Sequence, residues 1–386
     1  MITCAVGKGK AADGREAARR AAASARKAFA DAKAELVLVF ASPQYPGEAV
    51  LAGLHDVFAG TPLIGCSTAG EITTEGPDEG SVVIGVLGGV EARVGRGGDI
   101  RRDADQAGRR LGRDLADHAG SLVVLCTDGL TGNTAAAIAG LQAELGEGRT
   151  AIGGTAGDDF RFQRTHQFFR TETLTASAVG ASLRGDFTFG AGVRHGWEPV
   201  GLPMRVTKSE GNRIVEINGQ PAAKLYEDYF GDLVHRFHGE PLGRMAVAYP
   251  LGLAVPGSPE YLLRAPFSVD ARGGIDCKAA IPEGAEVRLM IGNPSRAIQA
   301  ARIAAMEAIA QLKGRLPRIA LVFNCVPRRR LLGRLAAEEI EAIRDVLGRN
   351  VPLIGFYTYG EIAPLLGVAA EASSFHNETV VILALG

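Results

Sequence analysis

An order of elements recurs three times along these 386 residues: strand, helix, strand, helix, strand, glycine turn, strand. A fold that satisfies one copy has to satisfy all three, so the chain reads as an internal repeat of supersecondary structure. Two of the glycine turns nearly coincide in sequence. Thr61-Pro-Leu-Ile-Gly-Cys-Ser-Thr-Ala-Gly-Glu-Ile72 returns as Val351-Pro-Leu-Ile-Gly-Phe-Tyr-Thr-Tyr-Gly-Glu-Ile362, and both fit Pro-Leu-Ile-Gly-x-x-Thr-x-Gly-Glu-Ile. A shorter relative, Thr150-Ala-Ile-Gly-Gly-Thr-Ala-Gly-Asp158, lies between them. Each copy runs a short apolar strand into a turn that carries a hydroxyl and a carboxylate. Packing alone does not call for Thr-x-Gly-Glu. Contact with a ligand would.

The elements around the turns follow from periodicity and caps. Continuous apolar runs at Leu36–Phe40, Leu122–Cys126 and Ile319–Phe323 are expected as buried strands. Helices are expected after Asp13, at Gly47–Phe58, Asp103–His118 and Asn133–Leu145, after Asn293-Pro294, and at Ala336–Leu347. The crossovers imply partly parallel pairing, and the strand after each turn adds antiparallel pairing. The fold class is therefore α/β, with mixed sheets under outer helices, βαβαββ repeats and an expected α-β-β-α layering. The stretch 186–284 does not fit the repeat. It carries a hairpin signal at Met204–Lys208 and Arg213–Ile217, a short helix to Phe230, and short strands at Met245–Tyr249 and Tyr261–Ala265. Two domains are expected, 1–200 and 201–386, since 386 residues exceed what one core usually supports.

Charge and cysteines narrow the function. A net charge of -1 gives no electrostatic reason to expect nucleic acid or an anionic membrane as partner. Arg328-Arg329-Arg330 is expected as a solvated loop. Five cysteines without a C-x-x-C pair point to a reduced, cytoplasmic chain without a thiol-bound metal. No apolar run approaches the ~18 residues of a membrane span, and no signal peptide is expected at the N-terminus.

With those residues in view, the chain resembles the FIST (F-box and intracellular signal transduction) proteins, with N- and C-terminal FIST domains in tandem. The resemblance rests on Gly65-Cys-Ser-Thr-Ala-Gly-Glu-Ile72, Gly153-Gly-Thr-Ala-Gly-Asp-Asp159, Val206-Thr-Lys-Ser209, Asn324-Cys325 with Arg330, Gly355-Phe-Tyr-Thr-Tyr-Gly-Glu-Ile362 and Phe375-His-Asn-Glu-Thr379. It implies an intracellular sensory module for a small polar metabolite, such as an amino acid. It also implies, as an alternative, a haem-binding nitric-oxide sensor, and a kinase or cyclase as signalling partner.

The expected ligand contacts gather at the turns. Glu71 and Glu361 either cap their own turns or pair with a ligand ammonium group. Asp158 and Asp159 admit the same readings, with an oxygen-ligated metal as a third. Cys66, Ser67, Thr68 and Gly70 supply polar contacts and turn N–H groups in the first copy, Thr155 in the second, and Tyr357, Thr358 and Tyr359 in the third. Arg264 would clamp a ligand carboxylate, and Asn377 would orient a turn or touch the ligand. Cys66 is also the expected nucleophile of a second alternative, an enzyme. Seven histidines are scattered along the chain, His195 and His376 among them; each reads first as a hydrogen-bonded structural residue, with axial ligation of haem as the alternative for any one of them.

Overall fold

A computed structural model describes residues 2–30, 32–118, 120–231, 249–255, 260–365 and 372–386. The expected strand at Met245–Tyr249 lies outside them except for Tyr249. The first unit contains β1 (Thr3–Gly9), α1 (Gly14–Phe29), β2 (Leu36–Ala41), α2 (Gly47–Phe58), β3 (Leu63–Ser67), the hairpin β4 (Glu71–Thr73) and β5 (Gly76–Asp78), and β6 (Val82–Gly88). The second contains β7 (Glu91–Arg96), α3 (Ala104–Ala116), β8 (Leu122–Thr127), α4 (Thr134–Leu145), β9 (Thr150–Thr155), the hairpin β10 (Gln167–Phe169) and β11 (Glu172–Leu174), and β12 (Ala178–Arg184).

The third unit opens with β13 (Phe189–Arg194) and is then interrupted by a separate small sheet. That sheet is built from β14 (Trp197–Glu210), β15 (Arg213–Ile217), β16 (Gln220–Pro221), β17 (Leu251–Ala254), β18 (Tyr261–Arg264), β19 (Pro266–Val269), β20 (Ile275–Cys277) and β21 (Glu286–Gly292), with α5 (Lys224–Phe230) beside it. The third unit resumes with α6 (Pro294–Ala310), β22 (Ile319–Cys325), α7 (Val326–Leu332), α8 (Ala336–Leu347), β23 (Leu353–Thr358), the hairpin β24 (Glu361–Pro364) and β25 (Ser373–His376), and β26 (Val380–Leu385). Asp13, Asn133 and Asn293 cap their helices as expected, each accepting a backbone N–H three residues on.

The three large sheets share one design. Their strand orders are β1-β6-β2-β3-β10-β11, β7-β12-β8-β9-β24-β25 and β13-β26-β22-β23-β4-β5. In each, two strands run parallel (β2 with β3, β8 with β9, β22 with β23) and the neighbouring contacts are antiparallel. The last two strands of every sheet are a hairpin lent by another unit. The second unit lends β10–β11 to the first, the third lends β24–β25 to the second, and the first lends β4–β5 to the third. The units are therefore linked in a ring. A cut at residue 200 would divide every one of those loans except the first, so the two expected domains are not separate bodies in the sheets.

Alternation along the strands sets the layers. Leu38 and Phe40, Val124 and Cys126, and Leu321 and Phe323 point into one core shared by all three sheets. Val37 and Val39 face α1 and α2, Val123 and Leu125 face α3 and α4, and Ala320 and Val322 face α6 and α8. The expected α-β-β-α layering is thus replaced by three sheets around a common centre, each with helices outside. The glycine shared by all three motifs has a packing cause. A Cβ on Gly65, Gly153 or Gly355 would stand 1.8, 1.8 or 1.9 Å from the carbonyl oxygen of Val39, Leu125 or Val322 on the parallel neighbour.

Candidate functional site

The three glycine turns meet. Ala69 N–H donates to Tyr357 O at 3.0 Å, Gly157 N–H to Ser67 O at 3.0 Å, and Tyr359 N–H to Thr155 O at 3.3 Å. A second ring runs from Ser67 N–H to His166 O, Thr155 N–H to Gly360 O and Tyr357 N–H to Gly70 O, at 2.9, 2.8 and 2.8 Å. Ser67, Thr155 and Tyr357 are therefore equivalent residues of one knot of backbone hydrogen bonds.

The acids beside the knot are interior. Glu71 is fully buried and accepts from Thr68 Oγ1 and from Ser81 N–H and Oγ at 2.9 and 2.7 Å. Glu361 repeats this with Thr358 Oγ1 and with Thr379 N–H and Oγ at 3.2 and 2.6 Å. Burial pushes both carboxyl groups up to about 7 against the pull of those donors. The structure gives these two acids the local hydrogen-bonding role and not an open face toward ligand. Asp158 does not hold the equivalent place. That place belongs to Gln167, which opens β10 as Glu71 opens β4, and whose Oε1 accepts from Ser177 N–H at 3.1 Å. Asp158 instead accepts N–H groups from Phe162, Gln163 and Arg164 at 3.0, 2.7 and 3.0 Å and the hydroxyl of Tyr359. Together they clamp the loop 158–166. Thr155 and Tyr357 are buried and leave their hydroxyl oxygens unpartnered.

Cys66 is in the shared core beside Cys126, and burial holds its thiol well above the ordinary range. That position is closed to solvent and adverse to the thiolate a nucleophile needs. Both named histidines have Nε2 beside an oxygen. His376 is buried with Nε2 3.1 Å from Ala363 O, and burial lowers its pKa to about 4. His195 accepts Trp197 N–H at 2.9 Å and stands 3.2 Å from Glu260. Among the described residues no group of three or more His, Cys, Asp or Glu is placed to hold a metal.

The arginine triplet is not a solvated loop. Arg328 is fully buried on α7. It is paired with Glu339, 3.0 Å from Asn324 Oδ1, 2.8 Å from Ala297 O and bonded to His195 O. Arg329 reaches Ala69 O at 2.9 Å and pairs with Glu79. Arg330 lies 3.5 Å from the centre of the Phe160 ring. Three in a row concealed the division of labour, because charge alone reads as surface.

The threefold repeat also brings one more position into line. Ser42, Asp128 and Cys325 each donate N–H to the residue before the closing strand, Ser81, Ser177 and Thr379, at 2.9, 3.0 and 2.9 Å. One step earlier stand Gly80, Ala176 and Glu378, all left-handed, with φ of 66, 49 and 61°. Over Gly80 lies an open cleft of about 610 Å³ with Asp159, Phe160, Arg329 and Arg330. Over Ala176 lies one of about 340 Å³ with Asp128 and Arg164. At Glu378 the small sheet packs against the third unit. Here Arg264 and Asn377 come together: Arg264 Nη1 donates to Phe375 O at 3.3 Å, and Ala265 N–H approaches Asn377 Oδ1 at 3.5 Å. Arg264 is 8% exposed and also donates to Ala280 O and Leu263 O, at 3.1 and 3.0 Å. No carboxylate among the described residues pairs with it, and burial holds its pKa down to about 10. Glu378 was legible as part of Phe375-His-Asn-Glu-Thr379, yet only alignment of the three closing strands singles it out.

Comparison with known proteins agrees with the tandem organisation. The FIST N domain matches residues 35–220 and the FIST C domain residues 222–364. An uncharacterised protein of Mycobacterium tuberculosis is 30% identical over 376 residues, covering 94% of this chain and 95% of its own. One of Mycobacterium bovis is 27% identical over 367 residues, covering 92% of each. Among solved structures, a cyanuric acid hydrolase from A. caulinodans aligns with 100% of this chain and 99% of its own at 9% identity and a TM-score of 0.33. A likeness that low carries no argument about fold or chemistry.

Proposed function

This chain belongs to the FIST family, whose domains are associated with sensory signal transduction, and we propose that it senses a small zwitterionic metabolite, an amino acid first. The ligand sits where the small sheet meets the third unit. The observation that carries this is Arg264, a guanidinium buried in that junction with three carbonyl partners and, among the described residues, no anion. A charge withdrawn from water without a counter-charge is costly. A ligand carboxylate would neutralise it through the planar fork that Arg presents. Asn377 supplies an adjacent amide. The turn acids keep a structural part in this reading, holding the three units in register behind the site.

Binding would draw the small sheet against the third unit and shift the protein between open and closed populations. Output then passes to a partner, a kinase or cyclase, in the cytoplasm. No helix among the described residues is long and apolar enough to cross a membrane. The test is a thermal-shift screen of the full chain against the standard amino acids, followed by calorimetry. A true ligand at ~100 times its dissociation constant adds ~2.7 kcal/mol of stability. Replacing Arg264 by Met, which keeps the stem and removes the fork, should weaken that ligand at least about tenfold. Unchanged affinity in the Arg264 variant would remove the proposal.

A further inference from the structure

We propose that Glu378 is the contact for the cationic nitrogen of the ligand, so that the junction recognises a carboxylate and an ammonium group at two separate protein charges. The inference rests on the junction reading. Glu378 is 1% exposed, and neither carboxylate oxygen has a hydrogen-bond partner. Its two equivalents, Gly80 and Ala176, carry no polar side chain. The fold therefore does not need an acid there, and it needs one least in a left-handed backbone.

The neighbours do not satisfy it. Arg328, on α7, is the cation that faces Glu378, but it is already engaged by Glu339, Asn324, His195 O and Ala297 O. Glu361 on β24 faces it with like charge, and Tyr226 on α5 spends its hydroxyl on Tyr249 O. Cys325 on β22 meets the Glu378 backbone, and its buried thiol also lies within electrostatic reach of the carboxyl group without bonding to it. Burial, reinforced by Glu361, keeps the carboxyl group protonated well above its ordinary range. An ammonium ligand would take both carboxylate oxygens as acceptors. The carboxylic proton would then leave to solvent, so binding is accompanied by proton release.

The experiment is calorimetry of the full chain with the standard amino acids as probes, each beside its deaminated acid and its decarboxylated amine. Wild type is compared with Glu378→Gln and Arg264→Met, in two buffers of different ionisation heat. Thermal unfolding of Glu378→Gln checks its fold, and the buffer comparison on wild type stands if that variant fails to fold. The expected result is an amino acid that loses about 10- to 100-fold in affinity with Glu378→Gln and releases a proton on binding to wild type. Its deaminated acid should be indifferent to the substitution. Amino-acid binding that is lost with Arg264→Met but unaltered by Glu378→Gln, with no proton release, overturns the Glu378 inference and leaves the function reading standing. Amines that bind through Glu378 without any need for Arg264 overturn both the recognition at two charges and that reading. No binding by any probe overturns both.

Discussion

Glu71 and Glu361 show what a repeated acid does when it is folded inward. Each closes a short circuit from its own turn to the residue just before the last strand of its unit. The second unit performs the same task with Gln167, so a neutral amide already serves there. Glu71→Gln should then fold and cost about 1 kcal/mol or less at neutral pH, whereas Glu71→Ala strands three donors and should cost about 3 kcal/mol, both read from denaturant unfolding. The carboxyl group also gives a pH signature. Its folded pKa of about 7 lies above the ordinary carboxyl value of 4.5. Its favourable contribution is complete below the unfolded value and disappears as pH rises through the folded one. Stability of Glu71→Gln relative to wild type should therefore rise between those values, by about 3 kcal/mol. A flat or falling difference would contradict the burial assigned to Glu71. The sequence pairs Asp158 with these acids because both follow Thr-x-Gly or Thr-Ala-Gly. It does not reveal the loop 158–166, which separates the turn from the strand that Gln167 opens.

At the scale of elements, most strands, helices and caps were readable from local pattern, because apolar runs and Asx caps are properties of neighbouring residues. The loans of β4–β5, β10–β11 and β24–β25 were not. A three-residue strand has little periodicity, and its partner lies in another unit. The shared Ile-Gly is visible as a motif, but its cause is not, because its glycine answers to a carbonyl on the parallel strand. Gly65→Ala should consequently destabilise by about 3 kcal/mol or more, or prevent folding, as judged by circular dichroism and solubility. The clamp on the loop 158–166 is a milder case. Tyr359→Phe removes the hydroxyl that bonds Asp158 and accepts Phe160 N–H at 2.8 Å. That should cost about 1–2 kcal/mol and raise amide exchange at 160–164 more than in the strands.

Across the whole molecule, three units exchange hairpins around one core and the small sheet covers the third unit where the other two leave open clefts. The exchange makes the halves interdependent. Fragments 1–200 and 201–386, expressed apart, should each lack cooperative unfolding, since each withholds a hairpin from the other; independent two-state transitions would contradict the ring. The tandem family organisation was legible, because its motifs are long and doubled. The proposed site was legible only in Arg264 and Asn377, because its other half depends on which of three equivalent positions the small sheet covers. The direct test is hydrogen exchange of the full chain, with and without the amino acid that raises its melting temperature most. The proposed site predicts new protection at 262–265 and 375–379 and none at 42–44, 79–80 or 329–333. Protection confined to the cleft above Gly80, or no amino acid that stabilises the chain at all, would contradict it.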